Sequence, residues 1–174
     1  MKGPNKGGLI KVGALWTWER VRDGHIIDVQ HAHNTVPTEG LNHILNTVFH
    51  AGSAIDPWYI CLWTGDITPV ATDTYAVPRY TEFQSYSEAN RVEFVESAAS
   101  GGICSNASNR AIFTTTSEDT IYGSSLVGGG TDADTKADTA GGGVLVSSVR
   151  MGTPTTYHVG DVIRITVEIT LVSA

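Results

Sequence analysis

Cysteine is scarce in this sequence, with only Cys61 and Cys104 present. Two cysteines outside any CxxC pair make neither a disulfide framework nor a zinc-ribbon spacing. Cys61 lies in the apolar run WYICLW, the setting of a buried free thiol. Spacing alone leaves a Cys61–Cys104 bridge open. Charge is scarce too: Asp, Glu, Lys and Arg make up 17% of the chain, against roughly 25% in ordinary soluble domains. Positive charge is scarcer still, with 11 Lys and Arg against 18 Asp and Glu for a net of −7. A surface of that sign repels phosphate backbones and anionic membranes, so no nucleic-acid partner is expected. No apolar run approaches the roughly 18 residues of a membrane span, and the opening MKGPNKGG lacks the apolar stretch of a secretory signal. The expectation is a protein that folds in a cytoplasm and has no membrane partner.

Catalytic signatures are missing as well. There is no GxSxG elbow, and the glycines at 128–130 lack the Lys-Ser/Thr that completes a phosphate-binding loop. Glu82, Glu88, Glu93 and Glu96 could form an acid pair for glycoside hydrolysis, but they sit among Ser, Asn and Arg as surface carboxylates do. The expectation is no enzyme activity and no cofactor.

What is present points to β structure. The chain has 174 residues, enough for one domain that buries about 70% of its unfolded surface. Residues 9–22 and 25–33 alternate as two strands, and Asp23-Gly24 between them is a tight hairpin turn. Trp16 and Trp18 then share one strand face and are expected to be exposed. Residues 37–50 are the one convincing helix. Leu41, Ile44, Leu45, Val48 and Phe49 fall on one apolar stripe, expected to pack on a sheet. Gly40 weakens that helix by ~1 kcal/mol relative to Ala. Further strands are expected at 58–63, 80–83, 91–98, 103–106, 111–116, 120–127, 144–151 and 159–173. Trp58 and Trp63 lie in a core-like run. The fold class expected is mainly β: a β-sandwich or jelly-roll-like barrel with one short α-helix and an N-terminal β-hairpin arm.

Residues 128–143, GGGTDADTKADTAGGG, hold no large apolar side chain and are expected to be a flexible, exposed loop that can be trimmed at little cost in stability. Asp132, Asp134 and Asp138 have spacing like the start of a calcium loop, but Ala137 and Gly143 stand where Gly and Glu are needed. His25, His31 and His33 share a strand with no further ligand beside them. No metal site is expected. The composition shift near Gly8 and the helix entry near Val36 divide the chain into an arm and hairpin at 1–33 and a sandwich domain at 34–174. Removing the first segment is expected to leave the second folded.

Five stretches carry a resemblance: HNTVPTEGLNHILNTVFHAG, DPWYICLWTGDITPVATDTYA, YTEFQSYSEANRVEF, NASNRAIFTTTSEDTIYGSSLV and VGDVIRITVEITL. Together they make residues 32–172 similar to capsid decoration (cement) proteins of tailed bacteriophages. Cys61 departs from the family pattern, which more often has Gly there. The resemblance implies a structural virion protein, made in the host cytoplasm and bound to the outer capsid surface. It would bridge major capsid protein subunits and form a homo-oligomer, a dimer or trimer. Lys6, Leu9, Lys11, Trp16 and Trp18 are the expected partner contacts. The alternative is a phage tail or receptor-binding component that recognises a glycan through exposed aromatics.

Overall fold

The computed structural model describes residues 9–173. Lys6, and the arm at 1–8 that contains it, lie outside these residues. Ten strands and one helix follow in order: β1 (Ile10–Arg22), β2 (His25–His33), α1 (Thr38–Phe49), β3 (Trp58–Thr64), β4 (Thr81–Glu82), β5 (Val92–Glu93), β6 (Ile103–Ser105), β7 (Ala111–Thr114), β8 (Asp119–Gly128), β9 (Val144–Tyr157) and β10 (Val162–Ser173). They form two antiparallel sheets. The first runs β2-β1-β10, with β6 and β7 both on the far edge of β10. The second runs β3-β8-β9, with β4 and β5 both on the outer edge of β3. The protein is a β-sandwich with one short helix.

The hairpin forms as its sequence dictates. Asp23 (φ 50°) and Gly24 (φ 78°) supply the two positive φ angles that a two-residue turn between twisted strands requires. The hairpin is also built into the first sheet. β1 pairs with β10 from Ile10↔Ser173 to Val21↔Val162, so the boundary at 33/34 cuts through the middle of a sheet. Trp16 and Trp18 are 0% and 1% exposed and stack on each other, with ring centroids 6.1 Å apart. Two large aromatics on one strand face drive that face inward, since each buries about 150–250 Å2. Their polar ends are satisfied across the sandwich. Trp16 Nε1–H donates to Ser147 Oγ (3.1 Å) and Trp18 Nε1–H to Ser124 Oγ (2.8 Å). The expectation of exposed tryptophans is therefore overturned.

The second sheet is buried on both faces. Ile60, Leu62 and Leu126 face the first sheet, in a core with Trp16, Trp18, Phe113, Ile163 and Ile165. Cys61, Val127 and Leu145 face the other way, into a smaller cluster closed by Tyr75 and Ala133. This is why residues 58–63 are an unbroken apolar run instead of an alternating one. Both cysteines are free, and burial pushes the Cys61 thiol well above its ordinary pKa.

The cover over this outer face is the 128–143 segment, which is ordered and not a loose loop. Arg91, itself buried, reaches it with Nη1–H to Ala133 O (2.9 Å) and Nη2–H to Asp138 O (2.9 Å). The remaining Arg91 donors go to Glu82 and to the Tyr75 hydroxyl, so the guanidinium is fully used. The Tyr75 hydroxyl donates to Asp138 Oδ2 at 2.6 Å, and that bond holds the Asp138 carboxyl below its usual range. Lys136 donates to the carbonyls of Gln84 and Tyr86. Polar bonds hold the segment, and Ala133 is its one buried apolar side chain.

Candidate interaction surfaces

Helix α1 sits at the end of the sandwich where β1 begins. Glu39 anchors it, because one carboxylate oxygen accepts from the backbone N–H of both Tyr75 (2.8 Å) and Leu145 (2.7 Å). Gly40 is the contact point. A Cβ there would lie 2.7 Å from the Val146 Cα, so only a glycine lets the helix backbone rest on β9. Val146 is itself a bulge: Val127 pairs with Leu145 and Leu126 with Ser147.

This anchoring turns the helix away from its sequence-predicted orientation. Gly40 and Ile44 face the body, and His43 meets Trp58 edge-on with ring centroids 5.6 Å apart. Leu41, Leu45, Val48 and Phe49 remain exposed, Val48 at 64% and Phe49 at 77%. The apolar stripe expected to pack on a sheet is directed mostly to solvent.

Beneath Ile44 lies an open, almost wholly apolar cavity of about 250 Å3. Val12, Ile169 and Leu171 of the first sheet form one wall, and Trp58, Leu126 and Val146 of the second form the other. Strand alternation places Ile10 on the same inward side as Val12, yet Ile10 is 72% exposed. Among the described residues nothing seals the sandwich at this end.

The opposite, outward face of the first sheet at the same end carries Leu9, Lys11, Ile103 and Val172. Lys11 is paired with Val172, and all four are exposed. Of the five contacts expected from sequence, Leu9 and Lys11 thus lie together on a surface. Trp16 and Trp18 do not join them, and Lys6 lies outside the described residues. Sequence reasoning missed Ile10, Ile103, Leu171 and Val172. The signal was there: apolar residues on both parities at the extremities of β1 and β10, in LIKV and LVS, where a half-buried strand would alternate.

The four glutamates weighed as an acid pair are dispersed. Glu82 is bound by Arg91, Glu88 accepts from the Thr114 N–H, Glu93 is exposed on β5, and Glu96 lines the apolar cavity. Among the described residues no group of three or more His, Cys, Asp or Glu is placed to hold a metal ion. Asp132, Asp134 and Asp138 diverge, to Thr131, Asn90 and Tyr75 respectively. Histidines 31 and 33 stay on the exposed face of β2, where the Thr17 hydroxyl meets His31 Nδ1 (2.9 Å). No described helix is long and apolar enough to cross a membrane.

No protein-family model matches this chain, and no curated protein is similar to it in sequence.

Proposed function

We propose that this chain is a structural virion protein of a tailed bacteriophage, a decoration protein that binds the outer capsid surface and bridges major capsid subunits. The observation that carries the reading is the outward corner of Leu9, Lys11, Ile103 and Val172, where large apolar side chains stand in solvent beside the start of the sheet. A cluster of that kind rimmed by polar residues marks a protein-binding surface. The resemblance of residues 32–172 to decoration proteins supports the capsid as the partner. The net charge of −7 suits an outer location, away from packaged DNA. The mechanism is mass action: a protein that binds the assembled shell and not its separated subunits stabilises the shell.

The glycan-recognising tail alternative draws less support, since Trp16, Trp18 and Trp63 are all buried and none offers a stacking platform.

The test is to mix the purified protein with capsids that lack it and count bound copies by cryo-electron microscopy. Ordered copies across the shell are expected, with Leu9 and Val172 at the contact. Leu9→Asp with Val172→Asp should fold normally and lose occupancy. Density only at the tail, or none on the particle, would sink the capsid reading.

A further inference from the structure

Strands β5 and β7 lie on the outer edges of the two sheets, and an open groove of about 610 Å3 runs along that side. Val92, Val95, Ala111 and Ile112 line it, together with Arg110 and Arg164. We infer that this groove binds an extended acidic segment of a partner protein, which adds as a strand to the edge of β7 and sets a carboxylate on Arg164. Three observations carry the assignment.

The first is the state of the edges. In an antiparallel ladder, alternate residues aim their N–H and C=O at opposite neighbours. The outer edge of β7 is used at one end, by the chain's own residues 85–87. Ser87 N–H donates to Thr114 O (2.9 Å), and Thr116 N–H donates to Ser85 O (2.9 Å). Thr115 N–H turns the other way, to Asp161 O (2.9 Å). The same alternation aims the N–H and C=O of Ile112 at the outer edge, where among the described residues no segment pairs with them. β5 repeats the pattern. Phe94 N–H donates inward to Trp58 O (2.8 Å) on β3, whereas Arg91 N–H donates outward to Asp134 O (2.7 Å), so Glu93 also presents its N–H and C=O outward. Bare edges of this kind are templates for a further strand.

The second is the side chains. Ile112 is 47% exposed and Val95 42%, which gives an incoming strand apolar contacts at the edge. Arg164 pairs across the sheet with Ile112, so both side chains rise from one face. A strand added beyond β7 would lie two strand spacings from β10, about 10 Å. An arginine and a glutamate side chain close that gap between them.

The third is charge. Arg20, Arg22, Arg79, Arg91, Arg110 and Arg150 each sit against a carboxylate, at 2.5–2.8 Å. Among the described residues Arg164 is the one arginine without such a partner, in a chain of net charge −7. Glu19 stands opposite it on β1, but both Glu19 oxygens accept from Arg110 (3.0 and 2.8 Å). Glu93 is the single carboxylate lining the groove, against two arginines. A free guanidinium binds a carboxylate through two parallel N–H bonds, which selects an acidic segment.

The groove is a different surface from the outward corner, and the inference does not depend on the capsid reading. The experiment titrates the full chain with the fluorescent peptide TVTVEVTVT at about 50 mM NaCl and follows anisotropy. Saturable binding is expected at or below about 100 μM. A lysine in place of the central glutamate should weaken binding by about tenfold or more. Arg164→Gln should weaken the glutamate peptide by a similar factor and leave the affinity for TVTVTVTVT unchanged. Ile112→Pro removes the edge donor, a change the fold accepts because that N–H points away from β10, and should weaken both peptides. In the unmodified protein the Ile112 amide should exchange more slowly once peptide saturates, a readout that needs no variant to fold. Absence of saturable binding up to about 1 mM, equal affinity for the glutamate and lysine peptides, or an Ile112 amide indifferent to peptide each overturns the inference. Slowing of that amide by raised protein concentration alone would assign the edge to a second copy and overturn it as well. Peptide binding is read without capsids, so its failure leaves the functional reading standing, and a protein that ignores shells leaves this one standing.

Discussion

At Gly40, helix propensity and packing pull in opposite directions. Alanine is the better helix former by ~1 kcal/mol. Its methyl would have to occupy space 2.7 Å from the Val146 Cα and 2.9 Å from the Val146 carbonyl oxygen, and neither backbone atom can swing aside. Gly40→Ala should therefore destabilise the protein by about 1–3 kcal/mol despite the gain in propensity, as overpacking does. Urea unfolding checks the sign. Asp161 is a second residue whose surroundings set its behaviour. Burial pushes its carboxyl up, but bonds from Arg22, the His158 N–H and Arg20 outweigh burial and hold it far below the ordinary range. A group with a depressed folded pKa contributes stability above its unfolded pKa and loses it as pH falls towards the folded value. The loss should begin below about pH 4, the unfolded aspartate value. Asp161→Asn should be less stable than the unmodified chain at neutral pH and should show a flatter decline below about pH 4 in thermal melts.

Two elements behave differently from what their composition announces. β1 looks like part of a detachable arm because it follows a Gly- and Lys-rich stretch, yet it is the central strand between β2 and β10 and contributes Ala14, Trp16 and Trp18 to the core. Deleting residues 1–33 should leave a chain that fails to fold cooperatively, seen as loss of near-ultraviolet tryptophan dichroism. The 128–143 segment looks like a linker, yet it is held by Arg91, Tyr75 and Lys136 over the outer face of the second sheet. Replacing it with a short turn should cost at least about 3 kcal/mol, because Arg91 loses two acceptors while Cys61, Val127 and Leu145 lose their cover. Arg91→Ala should cost about 3–5 kcal/mol, leaving Glu82 buried without its partner.

For the whole molecule, the exposed apolar residues of α1 and the net charge of −7 act in opposite directions on self-association. Seven uncompensated negative charges repel between chains, while the patch around Phe49 attracts through apolar area. Salt screens the repulsion and leaves the apolar term intact. Self-association should therefore strengthen between about 50 and about 500 mM NaCl, where an interface built on ion pairs would weaken. Sedimentation at the two salt concentrations separates the cases.

The sequence by itself determined the secondary structure and its order. Strand alternation, the Asp-Gly turn and the single helical period at 37–50 are local properties of the backbone and its side chains, and each expected element has a counterpart, although β9 runs on to Tyr157, past the expected end at 151, and β5 keeps only Val92–Glu93 of the expected 91–98. Which face of each element is buried is not local. Trp16 and Trp18 alternate identically whether they look inward or outward, and only the second sheet, with Ser124 and Ser147 placed for their indole N–H groups, decided the matter. The apolar stripe of α1 has the same period whether it is covered or bare, and the close approach of Gly40 to β9 turned it outward. The 128–143 segment carries no apolar signal because a buried arginine and a tyrosine hydroxyl, both distant in sequence, supply its attachment. Tertiary structure thus decided which surface the protein leaves bare, since that depends on contacts between residues far apart in the chain.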